Sequence, residues 1–276
     1  MTRAALVEQI RKKQSFLCVG LDIDLEKVPE HIRATKAPLF TFGKAIVDAT
    51  APYAVAFKPN MAFFESYGSS GWKSLEQLME YIHTNYPEIF TIADAKRGDI
   101  GNTATRYAKA FFEQMSFDAI TVAPYMGRDS VEPFLAFKEK HTVLLGLTSN
   151  PGAQDFQYRS HQGVPLFQEV LSKAQEWEGS ERLMFVVGAT RAEALSQIRQ
   201  TVPEAFLLVP GVGTQGGSLE EVAAHGLNTQ CGLLVNSSRG IIYSDATENF
   251  AKGAANQAQA LQQQMARLLE KYDIFK

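Results

Sequence analysis

The densest run of ionisable residues in the chain is Asp94-Ala95-Lys96-Arg97-Gly98-Asp99-Ile100-Gly101-Asn102-Thr103. It follows an apolar run, Phe90 to Ala93, that reads as a strand. Residues two apart on a strand share a face, so Asp94 and Lys96 are expected to point the same way. An ammonium among carboxylates keeps its proton, because neighbouring opposite charge favours the charged form. Such a lysine is a poor imine-forming nucleophile, which needs the free amine, and a ready proton donor. The competing reading is purely structural: Asp99 caps the following helix and Lys96 lies in a buried ion pair. A buried pair is costly unless something else uses it, which favours chemistry.

A second motif, Pro210-Gly211-Val212-Gly213-Thr214-Gln215-Gly216-Gly217, contains a Gly-x-Gly-x-x-Gly string. A dinucleotide fold needs that string after its first strand, with an acidic residue on the next strand end. Here it follows a late apolar run, and the next one ends in Ser238 and Arg239. That pairing suits phosphate, which backbone N–H groups and a bidentate guanidinium can hold. Polar residues end other apolar runs too: Asp22, then Lys58 and Asn60, then Thr148, Ser149 and Asn150, then Asn236, Ser237 and Ser238. The five histidines, His31, His83, His141, His161 and His225, have no metal-ligand spacing. Asp22, Asp94 and Asp99 could chelate Mg²⁺, but Lys96 competes for the same carboxylates. Catalysis with no metal and no cofactor is expected.

These groups must be positioned by regular elements. Apolar or β-branched runs recur at Phe16 to Leu21, Tyr53 to Phe57, Phe90 to Ala93, Ala119 to Ala123, Thr142 to Leu147, Leu183 to Val187, Ala205 to Val209 and Cys231 to Val235. Near-continuous hydrophobicity, rather than alternation, marks strands covered on both faces. Helical spacing separates them, as in Phe42 to Ala51, Ser74 to Thr84, Thr103 to Gln114, Val131 to Lys138, Leu166 to Glu176, Arg191 to Arg199 and Ser218 to Ala224. The segment Thr247 to Tyr272 reads as a long C-terminal helix, and an extra helix precedes the first strand. Eight units of about 31 residues each predict an α/β fold of the (β/α)8 TIM-barrel type, one domain over residues 1–276. In that architecture chemistry collects where strands end, and the loops after strands seven and eight often hold phosphate.

Composition limits the partners. Lys and Arg total 27 against 30 Asp and Glu, a net charge of −3, which argues against a nucleic-acid-binding domain held by a broad basic face. Cationic groups must therefore meet an anion locally. Charges scattered through residues 1–13 do not fit a signal peptide, and no apolar run reaches the roughly 18 residues of a membrane span. A cytoplasmic protein without a membrane partner is expected. Cys18 and Cys231 lie in apolar runs and read as small core hydrophobes.

The string Asp94-x-Lys96-x-x-Asp99-Ile100 resembles the catalytic signature of the orotidine 5′-phosphate decarboxylases. The resemblance covers nearly the whole chain, from Gly20-Leu21-Asp22 through Lys58-Pro59-Asn60 and Thr148-Ser149-Asn150-Pro151-Gly152 to Ser238-Arg239-Gly240, and is greatest for the longer bacterial branch. It implies that orotidine 5′-phosphate loses carbon dioxide to give uridine 5′-phosphate, the last step of UMP synthesis. By the same resemblance, Lys96 protonates carbon 6 and Asp94 holds it. Lys58 and Asp22 bind ribose hydroxyls, Asn60 also binds substrate, Ser149 meets the pyrimidine amide, and Gln215 and Arg239 hold the phosphate. The family is a homodimer with shared sites, to which Asp99, Ile100 and Thr103 of the neighbouring subunit contribute. Gly152 to Gly163 and the loop after strand seven are the candidate lids. Many members carry glycine before the phosphate arginine, where this chain has Ser238.

Three rival activities fit parts of the same pattern. A Mg²⁺-dependent decarboxylase of 3-keto-gulonate 6-phosphate shares the Asp-x-Lys-x-x-Asp string, but has an acid where this chain has Lys58. A Schiff-base aldolase would use Lys96 or Lys58 as its nucleophile, and a non-catalytic nucleotide-binding barrel would use the same residues for recognition only.

Overall fold

The structure, a computed structural model, describes residues 1–188, 192–211 and 218–275. Eight parallel strands form the centre: β1 (Leu17–Leu21), β2 (Ala56–Pro59), β3 (Phe90–Arg97), β4 (Ala119–Val122), β5 (His141–Leu147), β6 (Leu183–Val187), β7 (Phe206–Pro210) and β8 (Leu233–Ser237). Each pairs with its neighbours in sequence, and β8 closes the circle on β1 with Leu17 opposite Val235 and Cys18 opposite Asn236. Helices between the strands cover the outside, so this is the (β/α)8 TIM barrel that the sequence predicts.

The strands are apolar throughout because they have no wet face. Every residue of β1, β2, β4 and β6 is buried. Phe16, Phe57, Phe90, Phe117, Phe185 and Phe206 are among the large side chains wholly inside. Cys18 and Cys231 belong to the same core as free thiols, and burial pushes both up to about 12.

Two flanking helices complete the shell. The first, Arg3–Lys13, starts where the Thr2 hydroxyl accepts the Ala5 N–H at 3.2 Å, and ends at Gln14, whose φ is +48°. Its Leu6 and Ile10 are fully buried, each contributing roughly 1.5–3 kcal/mol of hydrophobic stabilisation. Lys13 Nζ then ties it beneath the barrel by donating to the carbonyls of Ala51 at 2.8 Å and Ala54 at 2.9 Å. The long C-terminal helix, Phe250–Lys271, buries Phe250, Ala254, Ala258, Met265, Leu268 and Leu269, one stripe at helical spacing. Phe250 stacks on Phe42 of the helix Pro38–Thr50, with centroids 5.0 Å apart and planes inclined by 19°. Among the described residues, no helix is long and apolar enough to cross a membrane.

Several element boundaries move, and the shifts matter for the site. The apolar run Tyr53 to Phe57 becomes a strand only from Ala56, because Tyr53 and Ala54 still donate to the Thr50 carbonyl and finish the preceding helix. β2 then runs on to Pro59 and takes Lys58 into the strand. β3 similarly continues past Ala93 to Arg97. Charged residues end an apolar pattern in sequence, yet they continue a strand when a partner waits beside them. The helix expected over Val131 to Lys138 is reduced to Glu132–Leu135, after a 3₁₀ turn at Arg128–Ser130.

Candidate functional site

The C-terminal ends of β1, β2 and β3 meet around one carboxylate. Asp94, in β3, accepts from Lys58 Nζ of β2 at 2.6 Å on Oδ2 and from Lys96 Nζ at 2.5 Å on Oδ1. Asp94 and Lys58 are buried, whereas the Lys96 side chain is 52% exposed at the mouth. The array thus has a dry base and an open cation. Burial alone would raise the Asp94 carboxyl, but attraction from Lys58 and Lys96, with their hydrogen bonds, outweighs it and holds Asp94 well below the usual carboxylate range. Burial likewise opposes charge on Lys58, yet Asp94 and Asp22 overcome it and keep that ammonium above its ordinary value.

Lys96 reaches Asp94 through an unusual backbone. Its φ is +46°, in the left-handed region that side chains rarely adopt, and its N–H donates to Thr121 Oγ1 of β4 at 2.8 Å. The Thr121 hydroxyl in turn lies 3.1 Å from Asp94 Oδ1. Arg97, inside the same charged run, turns away: it pairs with Glu65 and lies over the rings of Tyr107 and Phe111.

At the ends of β1 and β8, beside this array, Asp22 Oδ1, Asn236 Oδ1 and Ser238 Oγ are buried and have no hydrogen-bond partner among the described residues. Ser238 fits because residue 20 is glycine: a Cβ on Gly20 would lie 2.7 Å from Ser238 Cβ and 3.2 Å from Asn236 Oδ1. Arg239 follows, exposed at the start of the short helix Arg239–Ile242. The next residue, Tyr243, links this segment to the end of β1: its phenol accepts the Asp24 N–H at 2.6 Å and donates to the Asp22 carbonyl at 2.9 Å.

The remaining expected residues are spread around the rim. Asn60 lies beside Asp94 and caps the helix Met61–Glu65 by accepting the Ala62 N–H at 3.2 Å. Ser149, after β5, packs so closely on Gly188 that a Cβ there would lie 2.8 Å from its own. Asp99 stands apart from the array: it accepts the Ile100 N–H at 2.8 Å and makes no ion pair among the described residues. Nor does Asp99 cap the helix Gly101–Lys109, whose N-cap position is Ile100. Thr103, on that helix, is exposed. Gln215 and the glycine string Val212 to Gly217 lie outside the described residues.

The segment after β5 folds back on itself. Gln157 accepts the Thr148 N–H at 2.8 Å and donates to the Thr148 hydroxyl at 2.7 Å, and a short hairpin joins Ser160–His161 to Val164–Pro165. Sequence reasoning does not single out Thr121, Tyr243 or Gln157. Thr121 is one polar residue in an apolar run, and only spatial neighbours give any of the three a role. Among the described residues no three His, Cys, Asp or Glu side chains assemble as a metal-binding group.

A carboxylate between two ammoniums, one open to solvent, can hold a proton donor beside a bound anion. Comparison with known proteins identifies relatives along nearly the whole chain. The sequence profile of the "Orotidine 5'-phosphate decarboxylase / HUMPS family" matches residues 15–254. The chain is 59% identical over 271 residues to an orotidine 5′-phosphate decarboxylase of Christiangramia forsetii, covering 98% of this chain and 100% of that one. It is 57% identical over 270 residues to one of Flavobacterium johnsoniae, with 98% and 99% covered. Among solved structures, the OMP decarboxylase of Leishmania donovani superposes with a TM-score of 0.80 at 35% identity, covering 95% of this chain and 99% of that one.

Proposed function

The chain belongs to the orotidine 5′-phosphate decarboxylase family, and from that premise we propose that Lys96 is the proton donor of its reaction. The protein is a carboxy-lyase that converts orotidine 5′-phosphate to uridine 5′-phosphate, the closing step of UMP synthesis. When the bond from carbon 6 to the carboxylate breaks, carbon dioxide leaves and its electron pair stays on carbon 6. No adjacent group delocalises that pair, so fixed charge in a water-poor site must stabilise it. The Lys96 ammonium supplies both the field and the proton, and the neutral amine left behind recovers a proton from solvent. The single observation that carries this reading is Asp94 held between Lys58 and Lys96, with Lys96 alone open to the mouth.

The other roles are those that membership of the family implies. Asp94 restrains Lys96, while Lys58 and Asp22, with Asn60 beside them, take the ribose hydroxyls. Ser149 meets the pyrimidine amide. Gln215 and Arg239 grip the phosphate, whose binding energy can draw the segment 152–163 over the reacting centre. The oxygens of Asp22, Asn236 and Ser238, which have no partner among the described residues, support a polar ligand here, since buried polar groups are otherwise hydrogen-bonded.

The working unit of this reading is a cytoplasmic homodimer of one-domain subunits. Asp99 stands apart from its own subunit's array, and the same rim exposes Ile100 at 53% and Tyr125 at 89%. A second copy seated there would cover that apolar rim and carry Asp99, Ile100 and Thr103 to the neighbouring site. The test is direct: the absorbance of orotidine 5′-phosphate is followed with and without a chelator. Loss of the substrate band at the same rate in both supports the reading. A rate abolished by the chelator, or a Lys96 adduct trapped by borohydride, would overturn the mechanism.

A further inference from the structure

β3 and β4 pair in register up to Ala93 opposite Ile120, and pairing resumes with Arg97 opposite Val122. Between those points three residues of β3, Asp94, Ala95 and Lys96, face a single residue of β4, Thr121. Such a bulge frees backbone groups from the ladder and re-aims side chains. Here the freed N–H is that of Lys96, and it donates to Thr121 Oγ1 at 2.8 Å. The hydroxyl's own proton has Asp94 Oδ1 at 3.1 Å and the Ala93 carbonyl at 3.5 Å, so the nearer carboxylate takes it. Thr121 is fully buried. The residue it holds, Lys96, has a positive φ that a side chain adopts only where its surroundings compel it.

We propose that Thr121 is a positioning residue for the decarboxylation: its hydroxyl locks the β3 bulge, and the locked bulge brings the Lys96 ammonium onto Asp94 at the mouth. The inference rests on the reading of Lys96 as proton donor. Thr121 touches no reacting atom. Without its hydroxyl, the Lys96 backbone loses the partner that holds it left-handed, and the ammonium spends less time where carbon 6 would meet it. Substrate binding, carried by the ribose and phosphate contacts, is left in place.

The experiment compares Thr121→Val, which keeps shape but removes the hydroxyl, with Thr121→Ser, which keeps the hydroxyl, and runs Lys96→Ala beside them. Thr121→Val is expected to lower kcat by roughly 10- to 100-fold, with KM and the Kd for uridine 5′-phosphate within about threefold of the parent. Thr121→Ser is expected to recover kcat to within about threefold. A Thr121→Val enzyme of parental kcat overturns the proposal, as do equal losses in the Val and Ser variants or a loss confined to KM. Should Thr121→Val fail to fold, Thr121→Ser against Thr121→Cys carries the comparison, because the two are close in size and differ in hydrogen bonding. A Ser rate about tenfold above Cys supports the proposal, and equal rates overturn it. If Lys96→Ala is inactive while Thr121→Val runs at full rate, only the Thr121 inference falls. An active Lys96→Ala enzyme removes the proton-donor reading and this inference with it.

Discussion

Asp94 at the barrel mouth and Asp48 on the outer layer are both multiply held carboxylates, and they are built to opposite ends. Asp48 accepts from Lys44 at 2.8 Å, Tyr81 at 2.6 Å and Tyr86 at 2.8 Å. Burial works against its charge, but these three donors prevail and hold it below the usual carboxylate range. Tyr86 feels the converse, with burial and the bond to Asp48 pushing its phenol up to about 12. One ammonium meets one carboxylate, four residues apart on a helix, and no charge is left over. Asp94 instead has two ammoniums, one of them on a left-handed residue, and the ends of β1 and β8 add three polar oxygens with no partner among the described residues. The lesson is that the number of partners does not mark a working site. Charge open to solvent, backbone strain and unmatched polar groups together do, because a ligand can complete them.

The comparison breaks first at the lysines. Lys96→Ala is expected to cut turnover by roughly 1,000-fold or more while uridine 5′-phosphate still binds, whereas Lys44→Ala leaves kcat within about twofold. Equal effects in a coupled rate and calorimetry measurement would erase the distinction. Hybrid dimers sharpen it next. Mixed, individually inactive Lys96→Ala and Asp99→Ala chains are expected to regain up to about a quarter of the parental activity, since half the dimers then carry one intact site. No recovery after verified subunit exchange would place Asp99 outside the neighbour's site.

Smaller effects test the rim and the outer layer. Arg239→Ala is expected to raise KM for orotidine 5′-phosphate by roughly 10- to 100-fold and to leave the phosphate-free nucleoside almost unaffected. Equal losses for both ligands would put the guanidinium elsewhere. Asp48→Asn is expected to cost about 1 kcal/mol of stability at neutral pH, a modest figure because solvent screens the partly exposed pair, with no change in kcat. The sign of its pH dependence follows from the depressed carboxyl: that stability is present above the ordinary carboxylate value and is lost as pH falls through the lower folded value. Denaturation of parent and variant at about pH 6 and about pH 3 should therefore show the gap closing on acidification. A gap that widens would reverse the assignment.

Much of the barrel is legible in the sequence because each strand buried on both faces must be apolar for its whole length. Leu183 to Val187 is a strand with the same ends in sequence and structure. Where charged residues enter a strand the pattern fails, and so Lys58, Asp94 and Lys96 read as strand-end residues although they lie within β2 and β3. Arg97 is indistinguishable in sequence from its charged neighbours, yet it packs on Tyr107 and Phe111. Thr121 and Tyr243 carry no signal, since a hydroxyl in an apolar run has no function until a bulge or a neighbouring loop presents its partner.

The sequence by itself determined the eight-unit rhythm, the near balance of charge, and the set of ionisable residues available at the strand ends, because these depend on residue type and spacing alone. Tertiary structure decided which of those residues meet. Pairing of β2 with β3 brings Lys58 against Asp94 across 36 positions, closing the ring brings Tyr243 against Asp22 across 221, and the bulge in β3 sets the left-handed Lys96 against Thr121. Charge pairing and strain depend on distances of a few ångströms, and only the folded barrel sets them.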